Sequence, residues 1–544
     1  MTNSQGFTFS IGVVGHRNIA HATQKSIEDS IALHLESLAQ KLAAHNKGGE
    51  VLAPIPIRVY TALAEGADRI FARVALRVLG SRVSLVAVLP VEASDYERDF
   101  PDSVPEFRDL LALCESTILV DQTPAASRNT LYRRAWEIIN AKSNVLFALW
   151  DMKPGLEAGT AECLHTRCFS APKTQMGEPY MAGPAIVIPT SRTQPNANES
   201  PDALVNFLQR NNWIATYSGE VIGHKDATVA HVDWIQDYAA VALALDAKRE
   251  AGSRSLDAGF DAADAVASSS RKLVDSRLKF LAVAFYVLAT ALIFTGNIFP
   301  RLPVNLLAST LTVVAVIAWT YMREQGTFRL YLYARALAEG MRIQRALNNM
   351  GISRRAVDLL RYRSGTVPTT LRELLRSIGS ITPSSPGKYE DCAGWLTEQG
   401  SYYAGSALVR QEKFERREMI RKNVLILGGV IIAVALIAAQ GLAWAMGYTV
   451  PRMAISLAFA TVISLVTAGF LMGIHTQQMQ LREQSASFDR MRAILMTYQD
   501  WMRATEQSPT AMTEKEKADA AQWLLGQALG EHEEWCLRQS GAVV

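Results

Sequence analysis

The sequence predicts a parallel α/β sheet domain followed by an all-α membrane domain of four transmembrane helices in two hairpins. Three observations carry this reading. Short β-rich runs alternate with helical stretches as far as Thr190, four long uncharged stretches occupy the second half, and Lys and Arg gather on one flank of each pair of stretches.

The β-rich runs are Thr8–Val14, Ile57–Ala62, Val83–Leu89, Ser116–Val120, Asn144–Leu149 and Ala185–Pro189. Strands separated by helices pair in parallel through right-handed crossovers, which makes the expected sheet Rossmann-like. Such sheets take ligands at the carboxyl ends of their strands, so the residues that follow each strand are the candidates. After the first strand, Gly15 permits a tight turn and His16 and Arg17 offer an imidazole and a cation suited to a phosphate. After the second, Ala64, Glu65, Gly66 and Asp68 open a helix with an acid able to take a ribose hydroxyl. Pro90 follows the third, with Tyr96 placed to cover or stack on a base. Trp150 and Asp151 follow the fifth, and the loop beyond them ends in Gly159, Thr160 and Glu162 at a helix start, where backbone amides favour an anion. The joint placement after successive strands makes them a site; each alone is compatible with an ordinary turn or cap.

The order Gly12-x-x-Gly15-His16-Arg17, Ala64-Glu65-Gly66-Ala67-Asp68-Arg69, Leu89-Pro90 with Tyr96 and Asp99-Phe100, Leu149-Trp150-Asp151 and Gly159-Thr160-Ala161 resembles the SLOG superfamily. That superfamily groups Rossmann-like domains related to the DNA-processing protein DprA and the LOG enzymes, and includes sensors of ADP-ribose-like nucleotides. The hairpins with their Arg335-Ala-x-x-Glu339 helix are similar to the SLATT family, membrane effectors found beside SLOG domains in bacterial conflict systems. Together the two resemblances cover about residues 8–192 and 265–505. They imply a sensor-effector of antiphage defence that binds a nucleotide second messenger, ADP-ribose-like or cyclic, and perturbs the inner membrane as a homo-oligomer, with a messenger-synthesising enzyme encoded nearby. The alternative is a membrane-anchored nucleotide N-glycosidase. The hydrolase loop of that superfamily ends Gly-Gly-x-Gly-Thr-x-x-Glu, whereas here Cys163 stands at the glutamate position and Glu162 comes one residue early. One residue rotates a helical side chain by about 100°, which disfavours catalysis and leaves no catalytic residue assigned.

The uncharged stretches are Phe280–Pro300, Leu302–Met322, Asn423–Pro451 and Met453–Ile474. At about 1.5 Å of rise per residue each is long enough for a hydrocarbon layer about 30 Å thick. Arg271, Lys272, Arg277 and Lys279 precede the first, Arg323 follows the second, and Arg416, Arg417, Arg421 and Lys422 precede the third. Positive flanks are cytosolic, so both termini are expected in the cytosol of a multi-pass inner-membrane protein. The hairpins read as a repeat in which Arg277 and Arg421 occupy matching places. The spans hold no Asp, Glu, Lys, Arg or His, which disfavours a proton-coupled transporter or a voltage sensor. Small residues on the line Ala435, Ala439 and Ala443, and on Gly429 with Ala433, suit close helix packing. The resulting division is residues 1–192 for the nucleotide domain, 193–277 for a helical linker, 278–322 and 423–474 for the hairpins, and 323–422 and 475–544 for cytosolic helices.

Composition sets the outer limits. Of 544 residues 49% are hydrophobic and 20% charged, between the values of a soluble enzyme and a transporter. A net charge of +3 without clustered basic residues and aromatics argues against nucleic-acid binding. Cys114, Cys163, Cys168, Cys392 and Cys536 form no CxxC or Cys/His spacing, so reduced thiols and no metal are expected, and no cofactor is called for beyond the nucleotide ligand.

Overall fold

The computed structural model describes residues 7–43, 54–121, 126–152, 158–169, 183–193, 221–222, 234–248, 255–298, 314, 326–352, 354–360, 369–378, 392–448, 452–478, 481–506 and 513–541. In chain order β1 is Phe9–Gly15, α1 His21–Lys41, β2 Ile57–Thr61, α2 Ala67–Leu79, β3 Val83–Leu89, α3 Val104–Ala112, β4 Cys114–Leu119, α4 Arg128–Lys142, β5 Val145–Trp150, α5 Thr160–Phe169 and β6 Ala185–Pro189. A two-residue strand β7, Val221–Ile222, follows, then α6 Trp234–Asp246. The sheet order is β4-β3-β2-β1-β5-β6-β7, parallel throughout except for antiparallel β7. The six expected strands are all present, within two residues of their expected starts, and β7 is an addition. A two-residue strand carries too little pattern to be seen in sequence.

The sheet is covered on two faces because its central strands are apolar on both sides. All six residues of β5 are buried. On one face α2 lays Phe71 on Phe147 with ring centroids 4.9 Å apart. On the other, α4 comes so near β1 that a Cβ on Gly12 would lie 2.2 Å from Ser143 Oγ and 2.8 Å from Ile139. Only glycine fits there.

The amino end of the sheet is bound to a distant part of the chain. Helix α9, Thr369–Ile378, sits with its charged residues buried, and Arg376 pairs with Glu373 at 2.9 Å with neither exposed. The last carbonyls of α4, which have no helical partner, accept from guanidinium groups instead. Arg167 donates to Asn140 O, Ser143 O and Asn144 O at 3.0, 3.1 and 2.8 Å, and Arg376 donates to Asn140 O at 3.1 Å. Arg355 donates to Ala141 O. Asn144 Nδ2 donates to Glu373 O at 2.9 Å, and the Tyr238 hydroxyl meets Ser377 Oγ at 2.8 Å.

The chain divides into two compact units. One comprises Met1–Ala267, Leu332–Asp391 and Glu514–Leu537, the other Ser268–Tyr331, Cys392–Thr513 and Arg538–Val544. The expected segments 323–422 and 475–544 are thus each shared between units, because Leu332–Asp391 and Glu514–Leu537 belong to the first. Helix α7, Leu256–Ile298, and α8, Thr327–Asn349, contribute residues to both. Within the first unit Arg335 pairs with Asp264 at 3.1 Å and Arg345 with Asp257 at 3.0 Å. The buried Glu339 is raised by desolvation but lowered more by Arg342, His532 and Arg335, so its carboxyl lies below the usual range.

The second unit contains α10 Cys392–Met419, a π-helical turn Ile420–Ile426, α11 Leu427–Ala445, α12 Arg452–Gln478 and α13 Leu481–Glu506; a last helix, α14 Glu514–Gly541, starts in the first unit. Among the described residues, one continuous helical stretch, Glu412–Ala445, is long and apolar enough to cross a membrane. Its residues Val430, Ile431, Val434, Ile437 and Leu442 are exposed. The fourth expected span is helical within α12, with a shorter apolar stretch at Ala460–Gly469. The first expected span is helical in α7 as far as Ile298, and most of its side chains lie outside the described residues, as does the second span except for Val314. Gly429 faces Val466 and Leu465 at 3.7–3.8 Å, so the Gly429 line packs α11 on α12, whereas Ala435 and Ala439 are exposed.

Candidate functional site

Strands β1 and β5 are neighbours, yet the chain leaves them toward opposite sides of the sheet. A crevice opens at the carboxyl ends where strand order reverses in this way. Gly15 closes β1, and a Cβ there would meet Ala67 Cβ at 2.3 Å, so the turn admits no side chain. His16 N then donates to Leu149 O at 3.2 Å, and Ala67 N donates to His16 O at 3.0 Å, which fixes the residue between two elements.

The His16 ring points along the crevice to Asp151, with Nε2 2.8 Å from Oδ1; the side chains are 11% and 6% exposed. Asp151 N donates to the same nitrogen at 3.2 Å, so the tautomer sets whether Nε2 accepts from this amide or donates to the carboxylate. The other oxygen of Asp151 accepts from Arg192 Nε at 2.5 Å. Arg192 sits just beyond β6 and is anchored by a bridge to Ile19, while Ala20 N donates to Ser191 O at 2.8 Å. Beside it, the Thr190 hydroxyl is buried without a hydrogen-bond partner among the described residues.

Arg17 turns the other way. Its guanidinium lies 3.7 Å from Asp99 and 5.1 Å from the centre of the Tyr132 ring, and its side chain is 39% exposed. Burial works against its charge, but Tyr96, Tyr132 and Asp99 outweigh that and hold it above its ordinary value. Asp99 also takes Arg128 at 2.7 Å and the Tyr132 hydroxyl. Tyr96 is buried edge-on against Phe100 and Phe107, with centroids 5.0 and 5.7 Å away, and burial pushes its phenol up. It forms part of the wall, where the sequence suggested a cover over a base.

The turn between β2 and α2 is strained. Leu63 has φ 53° and Gly66 φ 82°, and a Cβ on Gly66 would lie 2.0 Å from Arg17 O. Ala64 N donates to Asp68 Oδ2 at 3.3 Å. Burial raises the Asp68 carboxyl to about 7 against the pull of that amide, of Arg17 and of Thr61. Glu65 accepts from the Ser103 hydroxyl at 2.7 Å, and Arg69 holds the turn by donating to Leu63 O at 3.0 Å. Positive φ recurs at Met152 (63°) and Ala158 (60°), so the three non-glycine residues with positive φ among those described flank the carboxyl ends of β2 and β5. Strain gathered in one place is a mark of a functional edge.

Glu162 is tied to the start of its own helix and to α4. Its oxygens accept from Ala158 N at 2.7 Å and Arg133 Nε at 2.8 Å. Burial raises its carboxyl, but Arg133 and Ala158 lower it more, so it stays ionised. Gly159 and Thr160 form the start of α5, Pro90 and Trp150 are buried, and the Trp150 side chain is enclosed in the sheet.

The structure therefore brings His16 and Asp151 together, and Arg17 with Gly66, Asp68 and the pocket wall. Sequence reasoning missed Arg192, Tyr132 and Arg128. Arg192 lies in a polar exit whose composition reads as linker, and Arg128 and Tyr132 lie at the start of a helix, away from any strand end. The arrangement can bind an anion: cations stand at two places on one edge, with the nearby carboxylates already paired. No protein-family model matches the chain, and no curated protein matches it as a relative.

Proposed function

We infer that the chain is a membrane-bound sensor-effector whose sheet domain binds a nucleotide-derived second messenger, ADP-ribose-like or cyclic. One observation carries the reading: His16, Asp151 and Arg192 meet at the switch point of the sheet with Arg17 half-exposed beside them. Arg17 is suited to a phosphate, and the Thr190 hydroxyl is available to a polar group of the ligand. In this account the four spans form two hairpins in the bacterial inner membrane with both termini cytosolic. A homo-oligomer of the helical part permeabilises the bilayer in antiphage defence, and a neighbouring enzyme makes the messenger. Ligand must bind the resting and active states with different affinity for this to work.

The test is thermal unfolding of the full chain in detergent against ADP-ribose, its cyclic isomers, NAD and cyclic di- and trinucleotides. A ligand at a hundredfold excess over its dissociation constant stabilises the native state by about 2.7 kcal/mol. One compound is expected to raise the midpoint, with the shift lost in Arg17→Ala and Arg192→Ala. No shift with any compound contradicts the reading.

A further inference from the structure

Among the described residues, strand β4 ends one side of the sheet with β3 as its single neighbour. Glu115, Ser116, Thr117 and Leu119 are exposed while Cys114 and Ile118 are half-buried, so this strand is only partly covered, and Leu113 before it is 60% exposed. Parallel sheets ordinarily have both faces covered. An open edge offers unpaired backbone groups to another strand, and proteins usually blunt it with Lys, Pro or a bulge. Here there is no Lys or Pro. A register shift opposite Leu85 and Val86 leaves Glu115 as the extra residue, and Glu115 is drawn back to Arg58 at 3.0 Å. Beyond it the ladder is regular.

The direction of the free groups follows from the ladder. Val120 N donates to Leu89 O at 3.0 Å, and alternate residues of a parallel strand turn toward the same neighbour. Ser116 and Ile118 therefore face β3, while Thr117 and Leu119 present their N–H and C=O groups outward.

We propose that β4 pairs antiparallel with β4 of a second copy of this chain about a two-fold axis at Thr117, joining two sheets into one. The occupant is a second copy because the strand is self-complementary in this register. Thr117 exchanges both hydrogen bonds with Thr117, Ser116 faces Ile118, and Glu115 faces Leu119. Moving the axis to Ile118 would set Glu115 against Asp121, and like charges directly opposite repel. An isologous contact of this kind closes as a dimer and does not propagate. It does not depend on what the cleft binds.

The test uses the full chain in detergent with Cys114→Ser, to remove the thiol near the edge. Thr117→Cys is oxidised mildly beside Leu33→Cys, an exposed control on α1. Paired residues of this type stand about 5.5 Å apart at Cα, within disulfide reach. Thr117→Cys is expected to link at least about tenfold faster than Leu33→Cys, and adding Leu119→Lys to slow it by a similar factor. Equal rates for the two cysteines, or a Thr117→Cys rate untouched by Leu119→Lys, would overturn the proposal.

Discussion

Replacing Asp68 by Asn tests the electrostatics of the site most sharply. The carboxyl is buried and shifted to about 7 in the folded chain, against 3.8 in its ordinary setting. Between those values the folded state holds a proton that the unfolded chain has released, so stability falls as pH rises. The protonated acid contributes fully below about pH 4, and the contribution is gone above about pH 7. At about 1.4 kcal/mol per pH unit the whole penalty is about 4 kcal/mol, of which about 3 kcal/mol develops between pH 4.5 and 8. The amide introduced by Asp68→Asn would keep an oxygen for the Ala64 N–H and carry no charge. Thermal unfolding of the full chain across that range should show the variant gaining on the parent by about that amount. Parallel curves for the two proteins would mean that Asp68 is ionised at little cost, and the reasoning about its burial would fail.

Three further outcomes follow from the packing. Arg376→Ala strands Glu373 at a site with no exposure, and should cost about 3–5 kcal/mol by chemical unfolding, more than Glu373→Gln combined with Arg376→Met. Gly66→Ala puts a methyl group on the Arg17 carbonyl at a φ of 82°, so it should lose at least about 2 kcal/mol of stability and shift the Arg17 environment in ligand titrations. In the second unit Gly429→Ala should be tolerated at 3.7 Å from Val466, while Gly429→Leu should separate α11 from α12, read as a rise in protease cleavage between them.

Strands such as Val83–Leu89 and Ala185–Pro189 were legible because they are short apolar runs that end at or before a Pro, and they lie where the pattern puts them. Local pattern says nothing of spatial order, so the meeting of His16 with Asp151 was open until the sheet order was known. The position of Arg192 was hidden for a different reason: a loop cation reads as solvated until tertiary structure brings it to a carboxylate. The docking of α9 shows the same limit. The run Thr369-Thr-Leu-Arg-Glu-Leu-Leu-Arg-Ser-Ile378 has the look of a solvated amphipathic helix, yet its Arg and Glu residues are buried, with Arg376 held by the Asn140 carbonyl and by Glu373. The place of Tyr96 is not legible locally, because an aromatic after a strand serves equally as a lid or a wall, and here three neighbouring rings enclose it.

Purified full-length chain in sealed liposomes loaded with a self-quenched dye joins both halves of the account in one measurement. Adding the nucleotide that stabilises the chain should release the dye, and the Arg17→Ala chain should stay sealed under the same addition. Liposomes that remain closed while that nucleotide is bound would contradict the coupling of sensor to membrane.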